Sequence, residues 1–410
     1  MPRDSVVVGL DIGSNKIRTV IANVDERDVL PNVVGAGVSP SAGLRKGAIV
    51  DVNETISAIT ASLEDAERMS GDPIHHAVVA VSGVHLASLN SKGVIAVPHG
   101  GEISAADVER VLEAAQAVNI QANRQILRVI PQNYTVDDQT GIRNPLGMRG
   151  VRLEVEAHII TGLTPALKNL ENAVHQSGVD VDDFIPASLA AAEAVLSKRQ
   201  KELGVVAVDI GASSTGISVF EEGVVIGTFI LPVGGDSVTN DVAIGLRTSI
   251  DAAEKLKIEY GTCKPADVSE RETVDLATIS KADSQVVDRR QLAEIIYARY
   301  HEVLSMVNEK LAELDRDGQL PAGAVITGGG AKIPELIELA RETLSLPVQI
   351  GFPVEVDGVV DKIDDPSYAT AVGLILFAAK GGSSRSYSVA SVDFGKIIEG
   401  IKNFFKKLLP

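Results

Sequence analysis

Cysteine is nearly missing from this chain: Cys263 is the single one, which excludes an internal disulfide and any cysteine-built zinc cluster and suits a reducing compartment. The histidines, at 75, 76, 85, 99, 158, 175 and 301, include no His-x-x-x-His pair, so no histidine metal site is expected. Neither a Gly-x-Ser-x-Gly elbow nor a Gly-x-x-x-x-Gly-Lys loop occurs, which removes the hydrolase and P-loop readings. Long apolar runs are also lacking. The longest near the end, Ala369 to Ala379, has about half of the roughly 20 residues that span a bilayer and reads as a buried helix. The start passes from Pro2, Arg3 and Asp4 into strand-like Val6, Val7 and Val8, with no basic region before a cleavable apolar segment, so no leader is expected. Positive charge is in deficit: 38 Lys and Arg face 55 Asp and Glu, a net charge of -17. Such a field repels a phosphate backbone, and no nucleic-acid partner is expected.

What is present is order on a large scale. At 410 residues the chain is long enough for roughly two to four compact units. Two distant segments resemble each other, Val8-Gly9-Leu10-Asp11-Ile12-Gly13-Ser14-Asn15-Lys16 and Ala207-Val208-Asp209-Ile210-Gly211-Ala212-Ser213-Ser214. In each, an apolar strand ends in Asp-Ile-Gly, a turn of small polar residues follows, and alternating apolar residues return, so both halves of a duplicated chain are predicted to open with a β-hairpin. Apolar residues at three- and four-residue spacing predict helices over Val52–Met69, Ala105–Val118, Leu167–Gln176 and Leu292–Leu314. A strand at Ala324–Thr327 runs through Gly328-Gly329-Gly330 into a helix expected from Ile333 to Leu344. Between Val78 and Thr161, strands at 77–81, 93–97 and 153–161 surround one helix and read as an inserted α+β module.

A phosphate cradle needs backbone N–H groups unobstructed by Cβ atoms, with hydroxyl donors and a cation beside them. Gly13, Ser14, Asn15 and Lys16 offer these in one turn, and Gly211, Ala212, Ser213, Ser214 and Thr215 form a second cradle. Asp11 and Asp209, at the strand ends, suit Mg²⁺ held through water, because that ion binds through few carboxylates and keeps much of its hydration.

Two such hairpins followed by the late glycine run resemble the actin, sugar-kinase and heat-shock-chaperone ATPase superfamily. There the hairpins hold the phosphates of ATP and the glycines, here Gly328, Gly329, Gly330 and Ala331, hold adenosine. The resemblance narrows to the FtsA family of bacterial cell-division proteins through Val129-Ile130-Pro131-Gln132-Asn133-Tyr134, Asp137, Gly141-Ile142, Asn144-Pro145-Leu146-Gly147-Met148, Gly150, Arg152-Leu153-Glu154 and His158. Val81-Ser82-Gly83, Gly93-Val94-Ile95 and Arg289-Arg290-Gln291-Leu292-Ala293-Glu294-Ile295-Ile296 add to it.

That resemblance implies an actin-like α/β fold of two duplicated halves. The expected divisions are a subdomain IA at 1–82 with 164–200 and 366–380, an inserted IC at 83–163, a IIA at 201–240 with 320–365, and a IIB at 241–319. It also implies that Gly234 and Gly235 underlie the ribose and that Glu254, Lys255 and Lys257 line the adenosine pocket, although the last three equally suit a solvated helix face. Expected cofactors are ATP and Mg²⁺. Expected partners are the FtsZ C-terminal peptide, with Arg299 and Glu302 as candidate contacts, further copies of the chain in a filament, and later division proteins through IC. In relatives that hydrolyse ATP briskly, a Glu or Gln precedes the position of Pro186; here Ile185 stands there, so at most slow turnover is expected.

After a Gly/Ser-rich stretch at 381–391 that reads as a flexible tether, the segment 392–410 places Phe394, Ile397, Ile398, Ile401, Phe404, Phe405, Leu408 and Leu409 on one helical stripe. Lys396, Lys402, Lys406 and Lys407 lie off that stripe. This pattern suits an amphipathic helix in an anionic lipid interface, which with the family resemblance implies a peripheral protein on the cytoplasmic face of the inner membrane at the division site. Two alternatives share the fold: a small-molecule kinase, and pilus machinery of the PilM kind.

Overall fold

A computed structural model describes residues 5–24, 30–98, 101–279 and 285–381. The tether beyond Gly381 and every residue of the amphipathic stripe, Phe394 to Leu409, lie outside the described residues.

The duplication extends from two short motifs to two whole sheets. In the first half, Ser5–Ile12 pairs antiparallel with Lys16–Val24, which pairs antiparallel with Asn32–Pro40. On the other side Ser5–Ile12 runs parallel to His76–Val81, and that strand parallel to Asp180–Pro186. The second half repeats this order with Val205–Ile210, Thr215–Glu221, Val224–Leu231, Ala324–Thr327 and Val348–Ile350. The inner parallel strands His76–Val81, Val205–Ile210 and Ala324–Thr327 are nearly all apolar and buried, as strands covered on both faces are.

Two helices lie between the sheets. Ala187–Val195 is built largely of alanine and is almost wholly buried. Ala369–Gly381, the apolar run expected to be a buried helix, packs against it and against the first sheet. The backbones touch: a Cβ added at Gly373 would lie 1.8 Å from the carbonyl oxygen of Ala190. Small residues here let the two halves share one dense seam.

The inserted module is a sheet of Ala87–Ala96, Arg152–Leu163, Arg124–Val136 and Gln139–Ile142, in that order. The helix Ala105–Gln116 covers one face, started by a capping box between Ser104 and Asp107. In the second half, helices Gly235–Leu246, Ile250–Tyr260 and Arg289–Ala312 and a short hairpin of Thr273–Asp275 with Val286–Asp288 enclose their own core.

Expected helix starts shift by three residues at three places: Leu167 to Thr164, Leu292 to Arg289 and Ile333 to Leu336. After the glycine run, Gly329–Lys332 forms a 3₁₀ turn and the helix begins at Leu336. Pro334 disfavours a helical residue before it, and Ile333 is accordingly extended. Among the described residues, no helix is long and apolar enough to cross a membrane.

Candidate functional site

A cleft of about 540 Å³ opens between the halves, and both hairpin turns face it. Across it the hydroxyls of Ser14 and Ser213 lie 2.7 Å apart. Strand register sets the rows behind the turns. Asp11 pairs with Arg18, which neighbours Val38, so these three side chains share one face. Asp209 pairs with Gly216, which neighbours Ile230, giving the matching row in the second half. All six residues line the cleft.

The carboxyls of these rows lack compensation. Burial pushes Asp11 up to about 6 despite the nearby Arg18 guanidinium. Burial and then repulsion from Asp11 push Asp209 up to about 7, opposed by a hydrogen bond from Thr370 and by Arg18. The Thr370 hydroxyl donates to Asp209 Oδ2 at 3.4 Å. Gly328 closes over the same carboxylate with a positive φ of 84°. A Cβ there would lie 2.3 Å from Asp209 Oδ1, so strand end and glycine run approach as only glycine permits.

Further along the cleft, Lys257 Nζ meets Glu254 Oε2 at 2.6 Å, Thr239 Oγ1 at 2.8 Å and the Gly235 carbonyl at 3.2 Å. The Tyr300 hydroxyl donates to the Gly330 carbonyl at 2.9 Å, and Lys332 pairs with Asp365 at 2.5 Å.

Most of the expected site residues converge here: Asp11, Gly13 through Lys16, Asp209, Gly211 through Ser214, Gly235, Glu254, Lys257 and Gly328 through Gly330 all line the cleft. Four do not. Thr215 is fully buried and donates its hydroxyl to the Val233 carbonyl at 2.8 Å, because strand alternation gives the cleft to Gly216 instead. Lys255 reaches the exposed Ile279 carbonyl at 3.3 Å; Glu254 and Lys257 share a helix face that Lys255 does not. Gly234 caps the helix Gly235–Leu246 behind the second turn, and Ala331 is in the core.

The sequence reading missed Arg18, Tyr300, Lys332, Asp365, Tyr368 and Thr370, which also line the cleft. Arg18 was accessible to it, since a hairpin turning at Gly13 to Asn15 puts the seventh residue after Asp11 opposite it. Lys332 ends the 3₁₀ turn that continues the glycine run, and the others come from elements distant in sequence. Arg299 and Glu302 lie on the long helix Arg289–Ala312, outside the cleft lining. There Arg299 grips both oxygens of Asp241, at 2.5 and 3.0 Å, and Glu302 at 2.6 Å.

Known proteins match over the same architecture. A family profile described as "Cell division protein FtsA" matches residues 206–373, and one described as "SHS2 domain inserted in FTSA" matches residues 83–161. The chain is 40% identical to a Pseudomonas aeruginosa protein named cell division protein FtsA, over 94% of this chain and 93% of that one. It is 38% identical to the Bacillus subtilis protein of that name, over 93% and 85%, and 32% identical to the Escherichia coli K12 one, over 98% of each. Among solved structures, a chain of a PilM-PilN type IV pilus biogenesis complex superposes with a TM-score of 0.66 at 17% identity, over 91% of this chain and 98% of that one. Spiroplasma citri MreB5 bound to ADP gives 0.54 at 12% identity, over 92% and 98%. At such identities the two structures speak for the fold alone.

Proposed function

The chain belongs to the FtsA family of cell-division proteins and has the actin-like fold with the inserted SHS2 domain, and on that footing we propose that it binds ATP with Mg²⁺ in the cleft, assembles into filaments, and tethers FtsZ filaments to the inner membrane. The observation that carries the nucleotide reading is the convergence of two hairpin turns, Ser14 and Ser213 2.7 Å apart, over two strand-end carboxylates.

The residues present fit such a ligand. Gly13 and Gly211 begin turns whose backbone N–H groups and serine hydroxyls complement a chain of phosphates. Asp11 and Asp209, raised by burial, are short of positive charge and would hold Mg²⁺ through its water shell. Mg²⁺-ATP brings both that cation and the anion which the turns complement. Gly328 to Gly330, Lys257 and Glu254 would flank the nucleoside. Turnover would be slow: Ile185 is buried and apolar, and Ser188, a neutral hydroxyl, is a weak base.

The membrane function rests on the sequence of 392–410. Full burial of the eight large side chains on its stripe amounts to roughly 12 to 24 kcal/mol, of which shallow insertion and ordering leave a modest part. One copy would bind reversibly and a filament firmly by avidity. An FtsZ peptide on the 241–319 module would compete with Asp241 for Arg299.

Two experiments test these functions. Titration calorimetry with Mg²⁺-ATP should show binding that Gly211→Val abolishes; unchanged affinity in the variant would misplace the site. Co-sedimentation with anionic vesicles should pellet the wild type but neither Phe404→Glu/Phe405→Glu nor a truncation after Lys380, and undiminished pelleting of the truncation would remove the membrane tether.

A further inference from the structure

We propose that Arg18 is the residue by which the cleft distinguishes a nucleoside triphosphate from a diphosphate, with the Tyr368 ring holding its guanidinium ready. The inference rests on nucleotide occupying the cleft and goes beyond that reading by naming what senses the terminal phosphate.

Position comes first. Strand register places Arg18 directly beside Asp11 and one strand from Val38, all facing the cleft behind the turn that carries Ser14. The guanidinium carbon sits over the Tyr368 ring, 5.2 Å from its centre. A ring face attracts a cation without occupying its N–H donors. Arg18 Nε is buried and has no hydrogen-bond partner among the described residues. A buried, charged donor left unpaired is costly, so this one is poised for an anion.

Two of the other cleft cations are committed. Lys257 is held by Glu254, Thr239 and the Gly235 carbonyl, and Lys332 by Asp365. Lys16 is exposed at the rim. The second half has no counterpart to Arg18 either. There the same row position is Gly216, where even a Cβ would lie 2.8 Å from Ser188 Cβ. The cleft therefore has one cation on the carboxylate row, and it comes from the first hairpin.

Charge then sets the preference. A triphosphate carries one more anionic group than a diphosphate, and a guanidinium fork pairs with a phosphate through two parallel N–H donors. When only a diphosphate is bound, Arg18 remains on Tyr368. Tyr368 closes the turn Pro366–Tyr368 that leads straight into the seam helix Ala369–Gly381. The phosphate count is thus felt where that helix begins.

The test is calorimetric titration of Mg²⁺-ATP and Mg²⁺-ADP into the full chain and four variants. Arg18→Gln should weaken ATP binding by about tenfold to a hundredfold, the worth of a charge-assisted hydrogen bond, with ADP affinity held within about threefold. Arg18→Lys should keep part of the preference, Tyr368→Phe nearly all of it, and Tyr368→Leu should fall between Arg18→Lys and Arg18→Gln. Retained ADP binding shows that each variant is folded. Parallel losses for both nucleotides, or an unchanged ratio in Arg18→Gln, would overturn the role of Arg18 and leave the cleft reading intact. A wild-type protein that bound neither nucleotide would instead overturn the cleft reading itself.

Discussion

The two hairpins have the same strand order and the same Asp-Ile-Gly, and the helix that crosses each one touches both of its strands, yet the glycine that admits the helix lies on a different strand in each. In the first half the helix Ala369–Gly381 meets the leading strand, where a Cβ at Gly9 would lie 2.6 Å from the Ala371 carbonyl. In the second half Ala187–Val195 meets the return strand, where Gly216 faces Ser188. The counterparts are exchanged: Ala207 stands where the first half has Gly9, and Arg18 where the second has Gly216. Duplicated strands thus kept their pairing while packing at the seam decided which row position could hold a side chain. The one cation on the carboxylate row follows from that difference.

The seam is where disruption should be greatest. Gly373→Val puts branched carbon into the space of the Ala190 carbonyl and should cost about 3 kcal/mol or more, read as a lower urea midpoint, where overpacking of a tight core typically costs about 1–3. Gly329→Ala, with nothing within 4 Å of the added Cβ, should leave the midpoint nearly unchanged. Equal loss in both would mean that the seam is not specially tight.

Second in size is the difference between the carboxyls. Both have folded-state values raised above the ordinary 3.8, to about 6 for Asp11 and about 7 for Asp209. Their favourable contribution to the unliganded protein is therefore complete below about pH 4 and is lost as pH rises through 6 to 7. Asp209→Asn removes one carboxyl and relieves the other, so at pH 8 it should stabilise the unliganded protein by about 2 kcal/mol. The same variant should lose stabilisation by Mg²⁺-ATP. Thermal unfolding at pH 5 and pH 8 checks both signs, and a less stable variant at pH 8 would contradict the burial argument.

A smaller effect comes from giving the second hairpin a side chain in the row. Gly216→Ala should cost about 1–2 kcal/mol by contact with Ser188, and Ser188→Gly in the same chain should recover most of it. Absence of coupling in that double-mutant cycle would show that Ser188 does not exclude a side chain there.

Sequence made the hairpins legible because their signals are local: Asp-Ile-Gly, small turn residues and alternation within about twenty positions. The same alternation would have exposed Arg18 and excluded Thr215, since Thr215 and Gly216 point to opposite faces. Helical phase likewise separates Lys255 from Glu254 and Lys257. Tyr368 and Thr370 were out of reach because nothing local announces which distant turn closes a cleft. From sequence Ser188 offers only a neutral hydroxyl, while its packing against Gly216 depends on how two helices cross between the halves.

The smallest expected effect concerns how the inserted module reaches the other half. It docks on the strand Val224–Leu231 through side chains: Ser88 donates to the Thr228 carbonyl at 2.7 Å and Gln132 to the Val225 carbonyl at 2.8 Å. His158 lies between Asn90 Oδ1 at 2.7 Å and Thr228 Oγ1 at 2.9 Å. A neutral ring that donates from Nδ1 and accepts at Nε2 satisfies both partners. Burial pushes His158 down to about 4 from its ordinary 6.5, so its contribution is present above about pH 6.5 and is lost as pH falls toward 4. Thr228→Val removes one hydrogen bond and should cost about 1 kcal/mol at pH 7. Hydrogen exchange in 152–163 and 224–231, corrected for intrinsic rates, should show faster opening in Thr228→Val at pH 7 and in the wild type at pH 5. If acid loosened the module's own sheet but left 224–231 protected, His158 would stabilise the inserted module without joining it to the second half.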